Sequence, residues 1–371
     1  MAVLDRAVAK HGMDKGHRAL DARSHLVALI AGQMIEANGL RDIEAVLAAH
    51  APCLKRRRIQ PACKSTLADA NKSRAPQAFE AVIPALLAQL SPTQQRMTHQ
   101  DLRLIDSTFI YPGAKAVNWA QLRNGLVSAK VHVVFDPKAQ VPTFYELTSS
   151  NINDISVAKS TMPVEAGATY VFDLGYYDFG FWAELSAQDC RIVTRLKKNT
   201  SVTVLENRAL APGGTILSDQ IVTLPKRLAA SRKNPYSQPA RMVVVTIETG
   251  KVLRLFTNDL TSPAEEISAL YKTRWQIELF FRWIKQNLKI RRFHGRSENA
   301  VRLQIAAAII TYLLVKLTHI AAKTKKTAAR LFNSLRHAMF QRIELSTLVE
   351  RIERRRPDKA PPPIMQMELA L

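Results

Sequence analysis

The stretch Tyr271 to Lys285, YKTRWQIELFFRWIK, constrains this chain more than any other. At about 100° per residue, Tyr271, Arg274, Glu278 and Lys285 fall within an arc of roughly 60° on a helical wheel. Leu270, Ile277, Phe280, Phe281, Ile284 and Leu288 occupy a neighbouring arc, centred about 90° away. The spacing therefore predicts one helix that buries an apolar face and carries a carboxylate, two cations and a phenol along its edge. Groups at the lip of a core face can line a cleft, and this set suits a bound metal and a phosphate. Arg274 and Glu278 alone would equally suit an ordinary ion pair one turn apart, which contributes only about 0.2–0.5 kcal/mol.

The charge balance narrows the partner. Fifty-three Lys and Arg face 31 Asp and Glu, a net charge of +22 with a pI near 10.2. Such an excess points to a polyanion, either nucleic acid or an acidic membrane surface. The longest apolar candidate, Ile305 to Leu317, is short for a membrane span and contains Lys316, so a buried core helix is the better reading. The first residues, MAVLDRAVAKHG, carry no apolar signal region. The expectation is a cytoplasmic, nucleoid-associated protein whose partner is double-stranded DNA and not a membrane. Cys53, Cys63 and Cys190 are three isolated thiols with no C-x-x-C pair, which supports neither a disulfide framework nor a zinc site.

Residues 1–95 read as helical. His25 to Ile35 has apolar residues at helical spacing, Asn38-Gly39 is a stop, and LRDIEAVLAA restarts at Leu40. Lys55, Arg56, Arg57 and Arg58 form a basic turn suited to DNA phosphates, and Ser65 is a candidate N-cap for the helix that follows. A solvated basic loop is the plainer alternative for the turn.

Near residue 100 the texture changes to strands. Leu102, Leu104, Asp106, Thr108 and Ile110 share one face of a strand. An acid in the middle of an apolar strand face is costly unless it is paired or metal-bound. Ala129–Asp136 and Val141–Thr148 complete an antiparallel meander, and Asn153-Asp154 opens a helix. Tyr170-Val-Phe172 is a short buried strand ending at Asp173, with Gly175 allowing a tight turn. Such a strand end holds a metal ligand as readily as a simple turn aspartate. Phe179–Leu185 reads as a helix and Cys190–Leu196 as a strand. Residues 201–261 are β-rich, an insertion broken by Pro212-Gly-Gly214, the basic loop Lys226–Lys233 and Thr249-Gly250. Ser262-Pro263 starts the next helix with Ser as N-cap. After the Tyr271–Lys285 stretch come a basic turn (Lys289, Arg291, Arg292, His294, Arg296), a long apolar helix from about Asn299 to Ala322, and a basic helical segment and tail over 336–371.

The spacing Y-x-x-R-x-x-x-E-x-x-x-x-x-x-K resembles the signature of the DDE transposases of bacterial insertion sequences, in the group often called the IS-four family. Asp173-Leu174-Gly175-Tyr176 matches the D-x-G-[YF] phrase of that family, and GLRDI and STLADAN resemble its helical N-terminal domain. The resemblance covers most of residues 100–300. It implies an RNase H-like core: a mixed five-stranded sheet in the order 3-2-1-4-5 with helices on both faces. That core would be divided as 96–200 and 262–335, flanked by the N-terminal DNA-binding domain, the β insertion and the C-terminal segment. It implies Asp106, Asp173 and Glu278 as catalytic metal ligands for two Mg²⁺ ions, with Mn²⁺ able to substitute. Tyr271, Arg274 and Lys285 would face DNA. It further implies cut-and-paste transposition, in which hydrolysis frees a 3′-OH that then attacks target DNA within a homodimer. One relative type stacks a tryptophan of the β insertion on a flipped base. Here Trp119, Trp182, Trp275 and Trp283 all lie outside 200–260, and Tyr236 is the aromatic next to the basic loop. The alternatives are an RNase H-like nuclease without strand transfer and an inactive DNA-binding relative. Acids inside apolar strands argue against a purely structural RNA-binding protein.

Overall fold

A ten-stranded sheet is the spine on which every other element is laid. The computed structural model describes residues 2–354 apart from 17–18, 91–97, 117, 124–125, 211–213, 230–231, 289, 291–292 and 342. The strands in chain order are β1 (Leu102–Ile110), β2 (Gln121–Arg123), β3 (Leu126–Asp136), β4 (Val141–Ser149), β5 (Thr169–Phe172), β6 (Arg191–Arg195), β7 (Thr203–Asn207), β8 (Ile216–Thr223), β9 (Arg227–Ala229), β10 (Arg232–Lys233), β11 (Ala240–Thr246) and β12 (Val252–Thr257). β9 and β10 form a hairpin of their own. The others run β2-β3-β1-β5-β6-β12-β11-β8-β7, with β4 also paired to β3.

β1, β3 and β4 form the expected antiparallel set, with a short turn between β3 and β4 and with β2 inserted between β1 and β3 along the chain. β5 and β6 lie parallel to β1, each reached through a helix: α8 (Asp154–Ser160) before β5, α9 (Phe179–Ala187) before β6. The sheet has twice the five strands that the resemblance implies. The β-rich run is not a separate body, because β12 pairs antiparallel with the open edge of β6 and carries β11, β8 and β7 with it. An unpaired edge offers a row of free N–H and C=O groups, and β12 satisfies them.

Alternation along the strands splits the core into two layers. Leu104, Val131, Val133, Phe135, Val171 and Val193 face one side. Ile105, Val134, Tyr170, Phe172 and Ile192 face the other, under Phe181, Trp182 and Leu185 of α9. The first side is covered by α10 (Ala264–Thr273), α11 (Trp275–Asn287) and α12 (Glu298–Ala322). Among the described residues before β1 there are only helices and their connections: α1 (Ala2–His11), α2 (Ala22–Met34), α3 (Leu40–Ala49), α4 (Ala51–Arg56), α5 (Lys64–Ser73), α6 (Gln77–Glu80) and α7 (Val82–Leu90). Leu26, Leu29, Phe79 and Ile83 of this segment share the core of α12. After α12 come α13 (Ala328–Ala338) and α14 (Leu345–Arg354); the tail beyond 354 lies outside the described residues.

Several local expectations shift. Tyr271 to Lys285 is two helices meeting at Arg274, not one. Arg274 keeps right-handed helical angles (φ −50°, ψ −31°), but its N–H and that of Ile277 each reach back three residues, to Tyr271 and Arg274. That tightening ends α10 and restarts the ladder in α11. The apolar face still packs as expected, with Ile277, Phe280, Phe281, Ile284 and Leu288 buried. Ser65 is not an N-cap: Cys63 takes that position, its thiol 3.1 Å from the Ser65 hydroxyl and 3.2 Å from that of Thr66. Ser262 likewise yields the N-cap position to Pro263 and instead lies near Arg191 and Asp259. The long apolar helix keeps its expected bounds of about Asn299 to Ala322, as α12 (Glu298–Ala322). At 25 residues α12 is long and apolar enough to cross a membrane, and 56% of its most apolar window is buried against the rest of the fold.

Candidate active site

Register brings the first two acids together. β1 and β5 are parallel neighbours with Leu104 beside Val171 and Ile105 beside Phe172. One residue further on, Asp106 comes level with Asp173, just past the end of β5. Ser107 donates its backbone N–H to Asp106 Oδ1 at 2.7 Å, and Gly175 donates to Asp173 Oδ1 at 2.8 Å. Gly175 does not have a positive φ, so the turn itself would accept other residues. What constrains them is space: an added Cβ would stand 3.0 Å from Asp173 Oδ1 and 3.2 Å from Asp154 Oδ2, so those carboxylates would have to shift.

The third acid arrives on α11, whose buried face lies over β1. Arg274 connects the set. One of its terminal nitrogens is 3.3 Å from Asp106 Oδ2, and the other donates to Glu278 Oε1. A single guanidinium thus joins two carboxylates from distant parts of the chain. Lys285, further along α11, donates to Thr108 Oγ1 at 2.5 Å, two residues beyond Asp106 on the same strand. It therefore faces the cleft floor, two turns away from Glu278. Tyr271, on α10, lies under the Arg195 guanidinium, which is 5.8 Å from its ring centre. Burial pushes the Tyr271 phenol above its ordinary value, offset by Arg195 and Arg274. All six residues that the sequence places at the site (Asp106, Asp173, Glu278, Tyr271, Arg274 and Lys285) meet at this one end of the sheet. Lys55, Arg56, Arg57 and Arg58 do not join them. They stand exposed at the end of α4, on the helical segment.

Electrostatically the site is short of positive charge. Burial, then repulsion from Asp173, pushes the Asp106 carboxyl up to about 7, against the opposing pull of the Ser107 N–H and Arg274. A hard divalent cation would reverse that balance. The donor set fits one: three carboxylates, with no thiol or imidazole. Among the described residues no three acidic, imidazole or thiol groups stand together as a ready-made cage. Arg274 lies between Asp106 and Glu278.

Three neighbours escaped the sequence reading. Arg195 ends β6 as Asp173 ends β5, and its Nε is buried with no hydrogen-bond partner among the described residues. Asp154 opens α8 beside Gly175, and Lys130, from β3, pairs with it at 2.9 Å. Position alone could have found Arg195, a cation at the end of a strand next to the Asp173 strand. Tyr236 is only 3% exposed, against Phe256, and so has no free face for stacking on a base.

Comparison with known proteins places the chain in a family. The family model described as Transposase DDE domain matches residues 98–314, which contain all three acids. A second model, described as a domain of unknown function (DUF4372), matches residues 1–56. The chain is 37% identical over 286 residues to a putative transposase, y4zB, of Sinorhizobium fredii, covering 76% of this chain and 79% of the relative. It is 27% identical over 267 residues to a probable transposase for insertion sequence element IS5377 of Geobacillus stearothermophilus, covering 70% and 69%. The transposase InsG for insertion sequence element IS4 of Escherichia coli is 31% identical over 157 residues, 39% of this chain and 34% of that one.

Proposed function

The chain belongs to the DDE transposase family and is a DNA transposase, and from that premise we propose that Asp106, Asp173 and Glu278 are its catalytic acids, acting on DNA with Mg²⁺. The observation that carries this is the Arg274 bridge, which reaches Asp106 across 168 residues of chain while also holding Glu278. The finer placement, in the Y-R-E-K group related to IS4 and with an RNase H-like core, rests on the signature residues and on the run β4-β3-β1-β5-β6, which counts 3-2-1-4-5 along the chain.

Members of this family generally use divalent metal ions. Bound to these carboxylates, Mg²⁺ would lower the pKa of the attacking water and stabilise the leaving oxygen. The chain's own residues do the rest. Asp106 and Asp173 are held by the backbone N–H groups of Ser107 on β1 and of Gly175 in the turn after β5, so their oxygens are oriented before DNA arrives. Arg274 neutralises Asp106 and Glu278 in the free protein; with a cation in place, its planar fork is available for a phosphate. Lys285 presents a second cation from the same helix, over Thr108. Tyr271 offers a phenol donor at the edge of the cleft. The exposed Lys55–Arg58 turn supplies phosphate contacts that hold an element end without reading its bases. Two copies would act together in the DNA complex, one for each end.

The test is cleavage of a labelled element end. Wild-type protein with Mg²⁺ releases a 3′-OH and joins it to a plasmid, whereas Asp106→Asn and Asp173→Asn bind the end without cutting it. Cutting by Asp106→Asn would overturn the assignment. Cutting without joining would leave a nuclease.

A further inference from the structure

Beside the acids lies a buried polar cluster for which the reaction as described has no use. Asp154 Oδ1 accepts from Lys130 Nζ at 2.9 Å and from the Ser107 hydroxyl at 3.0 Å. Lys130 is 7% exposed and also donates to the Ile152 carbonyl at 2.8 Å. His132 Nδ1 stands 3.5 Å from the same oxygen, while its Nε2 pairs with the Thr148 hydroxyl at 2.8 Å. The other oxygen, Oδ2, lies beside Gly175, 3.2 Å from where a Cβ would stand and near Asp173 Oδ1.

Two of these contacts, to Ser107 and to Gly175, end next to a catalytic acid. Ser107 gives its hydroxyl to Asp154 and its backbone N–H to Asp106. Gly175 gives its N–H to Asp173 and its open face to Asp154. One carboxylate therefore touches both the strand that carries Asp106 and the turn that carries Asp173. It also belongs to a third element, α8. A half-buried carboxylate with a lysine at 2.9 Å is compensated, so it can sit beside two other acids. Its donors converge on Oδ1, which leaves that oxygen occupied by protein.

We infer that Asp154, neutralised by Lys130, is a positioning residue that sets the spacing and orientation of Asp106 and Asp173 for metal. It orients the carboxylates through Ser107 and Gly175 and does not touch DNA. Groups that orient metal ligands typically change metal affinity or activity about 10–100-fold when removed.

The inference rests on the metal role of Asp106 and Asp173, so Asp106→Asn is the control. Mn²⁺ is titrated calorimetrically into the full chain without DNA, and each variant is also melted in EDTA. The expected result for Asp154→Asn is Mn²⁺ binding weakened by about 10–100-fold in the folded protein, with cleavage partly restored at high Mn²⁺. Ser107→Ala removes one hydroxyl and should weaken binding in the same direction. Combined with Asp154→Asn it should add little, because both act through one contact. Should Asp154→Asn fail to fold, Ser107→Ala decides alone. Lowered melting temperatures with Mn²⁺ affinity within about a factor of two of wild type would overturn the inference. If those variants bind normally and Asp106→Asn does not, only the positioning role falls. If Asp106→Asn itself binds Mn²⁺ like wild type, the metal reading falls and takes the inference with it.

Discussion

Asp106→Asn should destroy activity and, in the absence of metal, stabilise the protein. The Asp106 side chain is 19% exposed, and its carboxyl is pushed from 3.8 to about 7. A raised value means that the fold prefers the protonated acid. Stability from this group is therefore full below about pH 4, declines between about 4 and 7, and stays low above that. Each tenfold change in proton affinity is worth 1.36 kcal/mol, so the ionised form at pH 8 costs up to about 4 kcal/mol. Asparagine keeps an oxygen for the Ser107 N–H and carries no charge. It should recover about 2–4 kcal/mol at pH 8 and almost none at pH 4. The assay is thermal or urea unfolding in EDTA from pH 4 to pH 9, wild type beside variant. The two should match at low pH and diverge as pH rises. Addition of Mg²⁺ should then stabilise wild type alone, because only wild type binds it. A variant less stable than wild type at pH 8, or a difference that does not change with pH, would refute the reasoning.

Lys285→Ala should cut cleavage and strand transfer strongly while lowering stability by no more than about 1 kcal/mol, since a half-buried lysine on a threonine hydroxyl contributes little; a large loss of stability with normal activity of the folded fraction would make Lys285 structural. Arg274→Lys keeps a charge but loses the fork that spans Asp106 and Glu278, so end cleavage should fall while DNA binding persists. Gly175→Ala should fold and yet lose activity, because its Cβ would meet Asp173 Oδ1 at 3.0 Å; retained cleavage would show that this turn can give way. Replacing Arg57 and Arg58 with serine should weaken binding evenly across sequences and flatten the salt dependence by about one unit of slope per lost phosphate contact.

What the sequence made legible was chemistry inside an apolar pattern. Asp106 stands out because it interrupts a strand face of Leu102, Leu104 and Ile110, and Asp173 because it stops a buried strand. Glu278 stands out through its spacing from Tyr271, Arg274 and Lys285. Strand alternation is local, so β1, β3, β4, β5 and β6 could be read directly. The pairing of β6 with β12 could not, since an edge-to-edge contact between runs some 60 residues apart leaves no local trace. The break at Arg274 was hidden because no Gly or Pro marks it and its dihedral angles stay helical. The caps slipped by one or two residues because Ser65 and Ser262 lie inside or ahead of the first turn, where serine has other partners. Gly175 was noticed for the wrong reason: it serves space beside two carboxylates, not an unusual φ. Asp154 was visible as a helix start, but its grip on Ser107 and Lys130 depends on three elements converging.

The most direct test of the central claim is anomalous diffraction from the protein crystallised with an element-end DNA and Mn²⁺. The expected result is anomalous density among Asp106, Asp173 and Glu278, with the Arg274 guanidinium moved off Asp106 onto a DNA phosphate. Manganese bound elsewhere, or density absent from these carboxylates with DNA in the cleft, would contradict it.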